Sequence, residues 1–254
     1  PTTMAEAAEA RRRLVYEELL YLELFLMQEG AERAAGAAPC EHVTDGERVG
    51  AFAGALPFAL TSEQERARDD ILEAMAAPAV MNHMLLGDVG TGKTVVAGFA
   101  LAAAADSGCQ ALLLAPTEVL ARQHAEGLGS LLEAAGVRSA LLTGSTAAAE
   151  RAQITEAFAA GDIDVLIGTH ALLSDDVRPA RLSLAIIDEQ QRFGVDQRAK
   201  LLAKGEAPDA LYLTATPIPR TLALALYGNL TLSYIKHRPH DAVPRTTRVL
   251  PKER

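Results

Sequence analysis

The chain has 254 residues, a formal net charge of −9 and two cysteines, with about half of its residues apolar. That length holds one large α/β domain plus an appendage and folds without disulfides or metals. The acidic balance excludes a protein that grips nucleic acid through a broad basic face, so any such contact is local. Cys40 and Cys109 lie far apart in sequence, with no Cys or His at metal-ligand spacing, which argues against a disulfide framework or a zinc site. Nothing reads as a membrane span or a secretory segment, so the expected location is the cytoplasm. A chain that opens on Pro1 suggests a fragment or a processed product.

Residues 11–29 place Val15, Leu19, Leu22 and Leu26 at helical spacing, with Leu14, Phe25 and Met27 widening the stripe. This helix has too much apolar surface to stand alone. It is expected to pack against the following domain or one outside the chain. Gly30 to Gly54, rich in Ala and Gly with Pro39, reads as a linker.

From Leu60 onward, short apolar runs alternate with helix-period segments, the pattern of βαβ units around a parallel sheet. The predicted strands are 82–86, 111–115, 139–143, 163–168, 184–188 and 210–214, with helices between them. Thr61, followed by Glu63 and Gln64, opens a helix running toward Ala77.

GDVGTGKT, Gly87 to Thr94, stands between an apolar strand and a helix. Gly87, Gly90 and Gly92 let the backbone curl around Thr91 so that its N–H groups and the helix N-terminus face a polyphosphate. Lys93 then reaches the β- and γ-phosphates, and the Thr94 hydroxyl binds Mg²⁺. The strand Leu184 to Ile187 delivers Asp188 and Glu189 to the carboxyl edge of the sheet. Asp188 is expected to bind Mg²⁺ through water, and Glu189 to orient and deprotonate the attacking water. Thr214 and Thr216 end another strand with small hydroxyls suited to link the phosphate site to a moving element. Gly168, Thr169 and His170 end a third.

PFALTSEQ, GDVGTGKT, APTEVLARQH, GTHALL, IIDEQQRFGVDQR and TATPIPRTLALALYG together resemble the successive motifs of the RecG family of bacterial ATP-dependent DNA helicases, in helicase superfamily 2. The resemblance runs from about Leu56 to Tyr234, and RRRLVYEELLYLELFL is similar to the helix joining that family's wedge domain to its motor. A rival resemblance is to the motor of the transcription-repair coupling factor, which shares GDVG, GTH and TATPIPRT. That motor has a His-Lys pair where this chain has Gln197 and Arg198, and lacks the Lys204–Gly205 step.

The RecG resemblance implies a RecA-like P-loop fold in three parts: residues 1–55 as helical extension and linker, 56–236 as the ATP-binding lobe, and 237–254 as a linker toward a second lobe. It implies ATP and Mg²⁺ as cofactors and branched or forked double-stranded DNA as partner, with no membrane partner. It also implies that Gln64 reads the adenine edge while Phe58 packs on the base. Pro116, Thr117, Thr169 and His170 would face the DNA backbone, through hydroxyls and N–H groups that suit an acidic chain. Gln191 stands where the family has His, at a position coupling the nucleotide site to Thr214 and Thr216. Gln also donates and accepts hydrogen bonds, so the role is expected to survive. Arg192 reads equally as a DNA contact and as an ion-paired surface residue. Only 38 residues follow Thr216, against roughly 100–200 for a second lobe. That lobe, its arginine finger and an oligonucleotide-binding-type wedge domain are therefore expected to be absent, leaving an isolated fragment with little ATPase or unwinding activity.

Overall fold

In the computed structural model, which describes residues 3–35, 40–215 and 230–239, the alternating pattern forms one parallel sheet of seven strands. These are β1 (Asn82–Gly87), β2 (Gln110–Leu114), β3 (Ser139–Leu142), β4 (Val165–Gly168), β5 (Leu182–Asp188), β6 (Asp209–Thr214) and β7 (Thr231–Ile235), in the spatial order β3-β4-β2-β5-β6-β1-β7. The fold is the expected RecA-like one. Each of the six predicted strands is present within two residues of its expected bounds. The seventh, β7, went unpredicted because its inward positions include Ser233, a polar residue that breaks the apolar alternation.

Helices cover both faces: α1 (Met4–Ala35), α2 (Glu47–Ala55), α3 (Ser62–Ala76), α4 (Lys93–Asp106), α5 (Glu118–Ala134), α6 (Ala148–Ala160) and α7 (Val195–Leu202). Alternate strand residues feed two cores, as the pleat demands. Leu85, Leu113, Ile167, Ile186 and Leu213 meet α2 to α5 on one face. Met84, Leu112, Leu166, Ile187 and Tyr212 pack on the other with Phe158 and Leu201. Helix α4 is buried all round from Val96 to Ala105, where alanines at 100 and 102–105 let it lie close on the sheet between α2 and α3.

The linker expected over Gly30 to Gly54 is corrected at both ends. Helix α1 continues to Ala35, and residues 47–55 form α2. Within α2, Phe52 is completely buried, its ring edge-on to Phe99 at 5.0 Å between centroids. Gly98 makes room for it, since a Cβ there would sit 2.2 Å from the Phe52 ring. Asp106 at the end of α4 accepts from the backbone N–H groups of Arg48 and Val49, at 3.1 and 3.0 Å, capping α2 from a distance. In α1, Leu14 and Val15 of the expected stripe are exposed, as are Tyr16 and Leu24, so these side chains do not pack against the following domain of this chain. The side chains of Leu19, Leu22, Phe25, Leu26 and Met27 lie outside the described residues. The Thr61 helix start is present as a complete capping box with Gln64.

Cys40 and Cys109, 69 residues apart in sequence, place their sulfurs 3.0 Å apart as free thiols. Among the described residues no helix is long and apolar enough to cross a membrane.

Candidate functional site

Strand order brings the chemistry together. Strand β6 lies between β1 and β5, and its register pairs Thr214 with Leu86 and Leu213 with Asp188. The loop after β1, the hydroxyl of Thr214 and the carboxylate of Asp188 therefore leave three adjacent strands at one level of the carboxyl edge.

Gly90 and Gly92 turn the phosphate loop with φ of +85° and +87°, a region that side-chain-bearing residues avoid. At Gly87 there is no space for a side chain, because a Cβ would lie 2.6 Å from Thr91 Oγ1 and 2.8 Å from the Ile235 carbonyl. Thr91 Oγ1 donates to the Asp88 carbonyl at 2.9 Å. Helix α4 starts at Lys93, so Thr94 lies in its first turn, where N–H groups and the helix dipole attract anions. Lys93 Nζ donates to the carbonyls of Gly87 (2.6 Å) and Asp88 (3.2 Å). Burial holds this amine below the ordinary lysine range, and the charges of Asp188, Glu189 and Asp88 oppose that shift. The loop lysine thus sits in the field of both carboxylates.

Asp188 is buried at the end of β5 and accepts from His124 Nε2 at 2.7 Å. The next residue, Glu189, is the one described non-glycine residue with positive φ (+50°), a conformation costing on the order of 1 kcal/mol. This turns its side chain out of the strand line. Gln191 donates from Nε2 to Glu189 Oε2, and its Oε1 accepts from Thr214 Oγ1 at 3.4 Å. One amide therefore spans the carboxylate and the β6 terminus.

Gln64 is buried with both ends of its amide engaged: Oε1 accepts from the Thr61 N–H, and Nε2 donates to the Thr91 carbonyl, each at 2.8 Å. It touches the phosphate loop directly. Phe58 is 49% exposed, consistent with a ring open to a ligand.

The remaining expected residues line the neighbouring strand ends. Pro116 and Thr117 follow β2, and Thr117 Oγ1 accepts from the Leu120 N–H at 3.3 Å as the N-cap of α5. Thr169 follows β4, buried, with its hydroxyl unpartnered among the described residues. His170 is exposed beside Gly144 on a shallow cleft that includes Arg151, Ser174 and Lys200. Arg151 and Lys200 are paired with Asp176 and Asp175, so the cleft carries little free positive charge. Arg192 is exposed in the short 3₁₀ helix after Glu189. Thr216 lies outside the described residues.

Two features escaped the sequence reading. His124 replaces an apolar residue in the buried stripe Ala121, His124, Leu128 and Leu132 of α5. That polar intrusion was the available signal. The second is the segment leaving β7, where Glu63 accepts from the N–H groups of Lys236 and His237 and from the His237 ring, and Arg238 donates to Asp88 at 2.8 Å. Nothing in the local sequence of 236–238 announces those partners.

The donor set fits a hard divalent cation. Asp188 and Thr94 offer oxygens, and no cluster of three or more His, Cys, Asp or Glu side chains suited to a transition metal exists among the described residues.

Residues 61–225 match the DEAD/DEAH box helicase family. The chain is 47% identical over 250 residues to the ATP-dependent DNA helicase RecG of Synechocystis sp., covering 98% of this chain and 30% of that protein. It is 46% identical to RecG of Streptococcus pneumoniae, covering 100% and 37%, and 48% identical to RecG of Bacillus subtilis, covering 94% and 35%. It thus spans about a third of the length of these curated relatives. Among solved structures, RecG bound to a three-way DNA junction superposes with a TM-score of 0.78 at 38% identity, over 95% of this chain and 32% of that one. The helicase MrfA bound to DNA and AMPPNP shares the fold, with a TM-score of 0.58 at 19% identity over 77% of this chain and 30% of that one. By the family match over 61–225, the chain belongs to the DEAD/DEAH box helicases, and the relatives it resembles at 46–48% identity are RecG proteins.

Proposed function

We propose that this chain is the ATP-binding lobe of a double-stranded DNA translocase that remodels stalled forks and Holliday junctions in the cytoplasm. The observation that carries the reading is the convergence of Lys93, Asp188 and Glu189, with Asp188 and Glu189 close enough to act electrostatically on the loop lysine. In this reading 56–236 is the motor lobe, 1–55 its helical extension, and 237–254 leads toward a second lobe. The RecG named in the junction-bound structure supports branched DNA as the partner.

The loop residues would bind and orient the triphosphate through backbone N–H groups from Gly90 to Thr94, with Lys93 exchanging its two carbonyl partners for phosphate oxygens. Thr94 and Asp188 would hold Mg²⁺, which when bound neutralises phosphate charge. His124 fixes the Asp188 carboxylate from behind. Glu189, turned out of the strand, takes the proton of the attacking water. Gln191 would report the state of Glu189 to Thr214 and onward along β6. Gln64 would exchange its Thr61 and Thr91 partners for the adenine edge, so base recognition and loop shape compete for one amide. Pro116, Thr117, Thr169, His170 and Arg192 would line the DNA backbone.

A second lobe would supply the arginine that stabilises the transferring phosphoryl group, worth roughly 10³–10⁵ in rate in related enzymes. The chain alone is therefore expected to bind nucleotide and hydrolyse it poorly. A fluorescent ATP analogue binding this chain with Mg²⁺, and losing affinity in Lys93→Ala, checks the site. Steady-state ATPase with forked DNA checks the incompleteness: Lys93-dependent turnover above about 1 s⁻¹ from this chain alone would defeat it.

A further inference from the structure

The only two cysteines of the chain meet at the amino end of the sheet, opposite the nucleotide loop. Cys109 is buried just before β2, and Cys40 is half-buried. Their segment is built as a clasp. The Val43 N–H donates to Ser107 Oγ at 2.9 Å, buried His42 lies 3.1 Å from Asp209, and Asp106 caps α2. The two sulfurs are thus held together from both sides by a hydrogen-bonded frame. Closing them to a disulfide needs a movement of about 1 Å.

We propose that Cys40 and Cys109 are a reversible oxidation site that a small-molecule disulfide converts to an intramolecular disulfide, locking the clasp onto the lobe. The Cys40 thiolate, on the accessible side, attacks one sulfur of the small disulfide, and the first small thiol leaves with a proton. Cys109, losing its proton, then attacks the Cys40 sulfur and expels the second small thiol. The protein loses two hydrogens and two electrons, and the small disulfide becomes two thiols.

Burial, with the neighbouring Cys109 thiol, pushes Cys40 up to about 12, while Arg181 opposes and Asp209 reinforces the shift. The thiolate is the reactive form, so oxidation is slow at neutral pH and accelerates as pH rises. The site therefore answers sustained rather than brief oxidation.

The test treats this chain with oxidised glutathione at pH 8.5. Denatured thiol titration is expected to fall from two to none, with peptide mapping joining Cys40 to Cys109 within one monomer, reversed by dithiothreitol. The cross-link closes a long loop and is expected to raise Tm by at least about 5 °C. Binding of a fluorescent ATP analogue is expected to stay unchanged. Cys40→Ser, at the half-buried position, is expected to abolish the Tm rise while folding normally. Two remaining thiols, a persistent glutathione adduct on Cys40, intermolecular dimers, or an oxidised form with unchanged Tm would each overturn the proposal.

Discussion

The two ends of the sheet are made from the same strands but use their polar groups in opposite ways. At the amino end, Gln110, Asp209 and Asp106 terminate on backbone groups, Asp209 also meeting the buried His42 ring. Gln110 donates to the carbonyls of Phe158 and Ile163 and accepts from the N–H groups of Ala180 and Arg181. Asp209 takes the Met81 N–H at 2.6 Å, and Asp106 caps α2. At the carboxyl end, side chains hold one another or loop carbonyls: Gln191 between Glu189 and Thr214, His124 on Asp188, Lys93 on Gly87 and Asp88. Glu189 is strained there, and the buried Thr169 hydroxyl is unpartnered among the described residues. At the amino end the bonds tie strand and helix ends together and break only with the fold. At the carboxyl end the partners are other side chains or carbonyls of the phosphate loop and can be exchanged for a ligand, which is how a rigid scaffold keeps a working edge.

The largest expected effect falls at the carboxyl end. In a full-length parent carrying this lobe, Glu189→Gln is expected to lower ATP turnover by roughly 10²–10⁴ while leaving analogue binding and Tm close to wild type. A comparable fall in Tm would show that Glu189 is a structural residue and erase the contrast between the ends. The mirror-image change lies on α2. Phe52→Ala removes a fully buried ring that fills the space left by Gly98, at an expected cost of about 3–5 kcal/mol. Urea unfolding measures it, and analogue affinity per folded molecule is expected to hold.

The two ends also differed in how legible they were. The phosphate loop, Asp188–Glu189 and the Thr61 cap were readable because each depends on local geometry, and local geometry leaves a local pattern. Helix α2 was not, since ERVGAFAGA buries only Val49 and Phe52 and the cap of Val49 comes from Asp106, 57 residues onward. His124 was written inside a quoted motif, yet its partner is a strand end 64 residues away. The contact between Cys40 and Cys109 is of the same kind. Spacing along the chain carries no information about such pairs until the sheet order is known.

Between the extremes stands a polar chain linking β7 to β1 and α3. His83 Nε2 lies 2.9 Å from Ser233 Oγ, which donates to Asp70 at 2.7 Å, and Thr231 Oγ1 lies 2.8 Å from the other ring nitrogen. Burial lowers the His83 pKa to about 4, opposed by Asp70. Below about 6.5 the unfolded chain binds a proton that the native state refuses until about 4. The stability contributed by neutral His83 is therefore complete above pH 6.5 and lost as pH falls toward 4, by about 3 kcal/mol. Urea unfolding from pH 7.5 to 4.5 is expected to show this loss in wild type and a correspondingly flatter profile in His83→Gln. Parallel profiles would remove His83 from the set of buried groups that stabilise only in one charge state.

The smallest effect tests whether one residue belongs to both ends' logic. Thr117 caps α5, a backbone-terminated role, yet it is exposed at the edge proposed to face DNA. Thr117→Ala is expected to cost about 1 kcal/mol, and Thr117→Ser to restore it because the serine oxygen accepts the same N–H. If capping is its whole role, DNA-stimulated ATPase of the parent follows stability in both variants. If the hydroxyl also meets a phosphate, Thr117→Asp separates the two. The carboxylate caps as well as threonine but repels the backbone, so Tm holds while the DNA concentration for half-stimulation rises several-fold. Unchanged stimulation in Thr117→Asp would confine the DNA face to the ends of the other strands and leave Thr117 a cap.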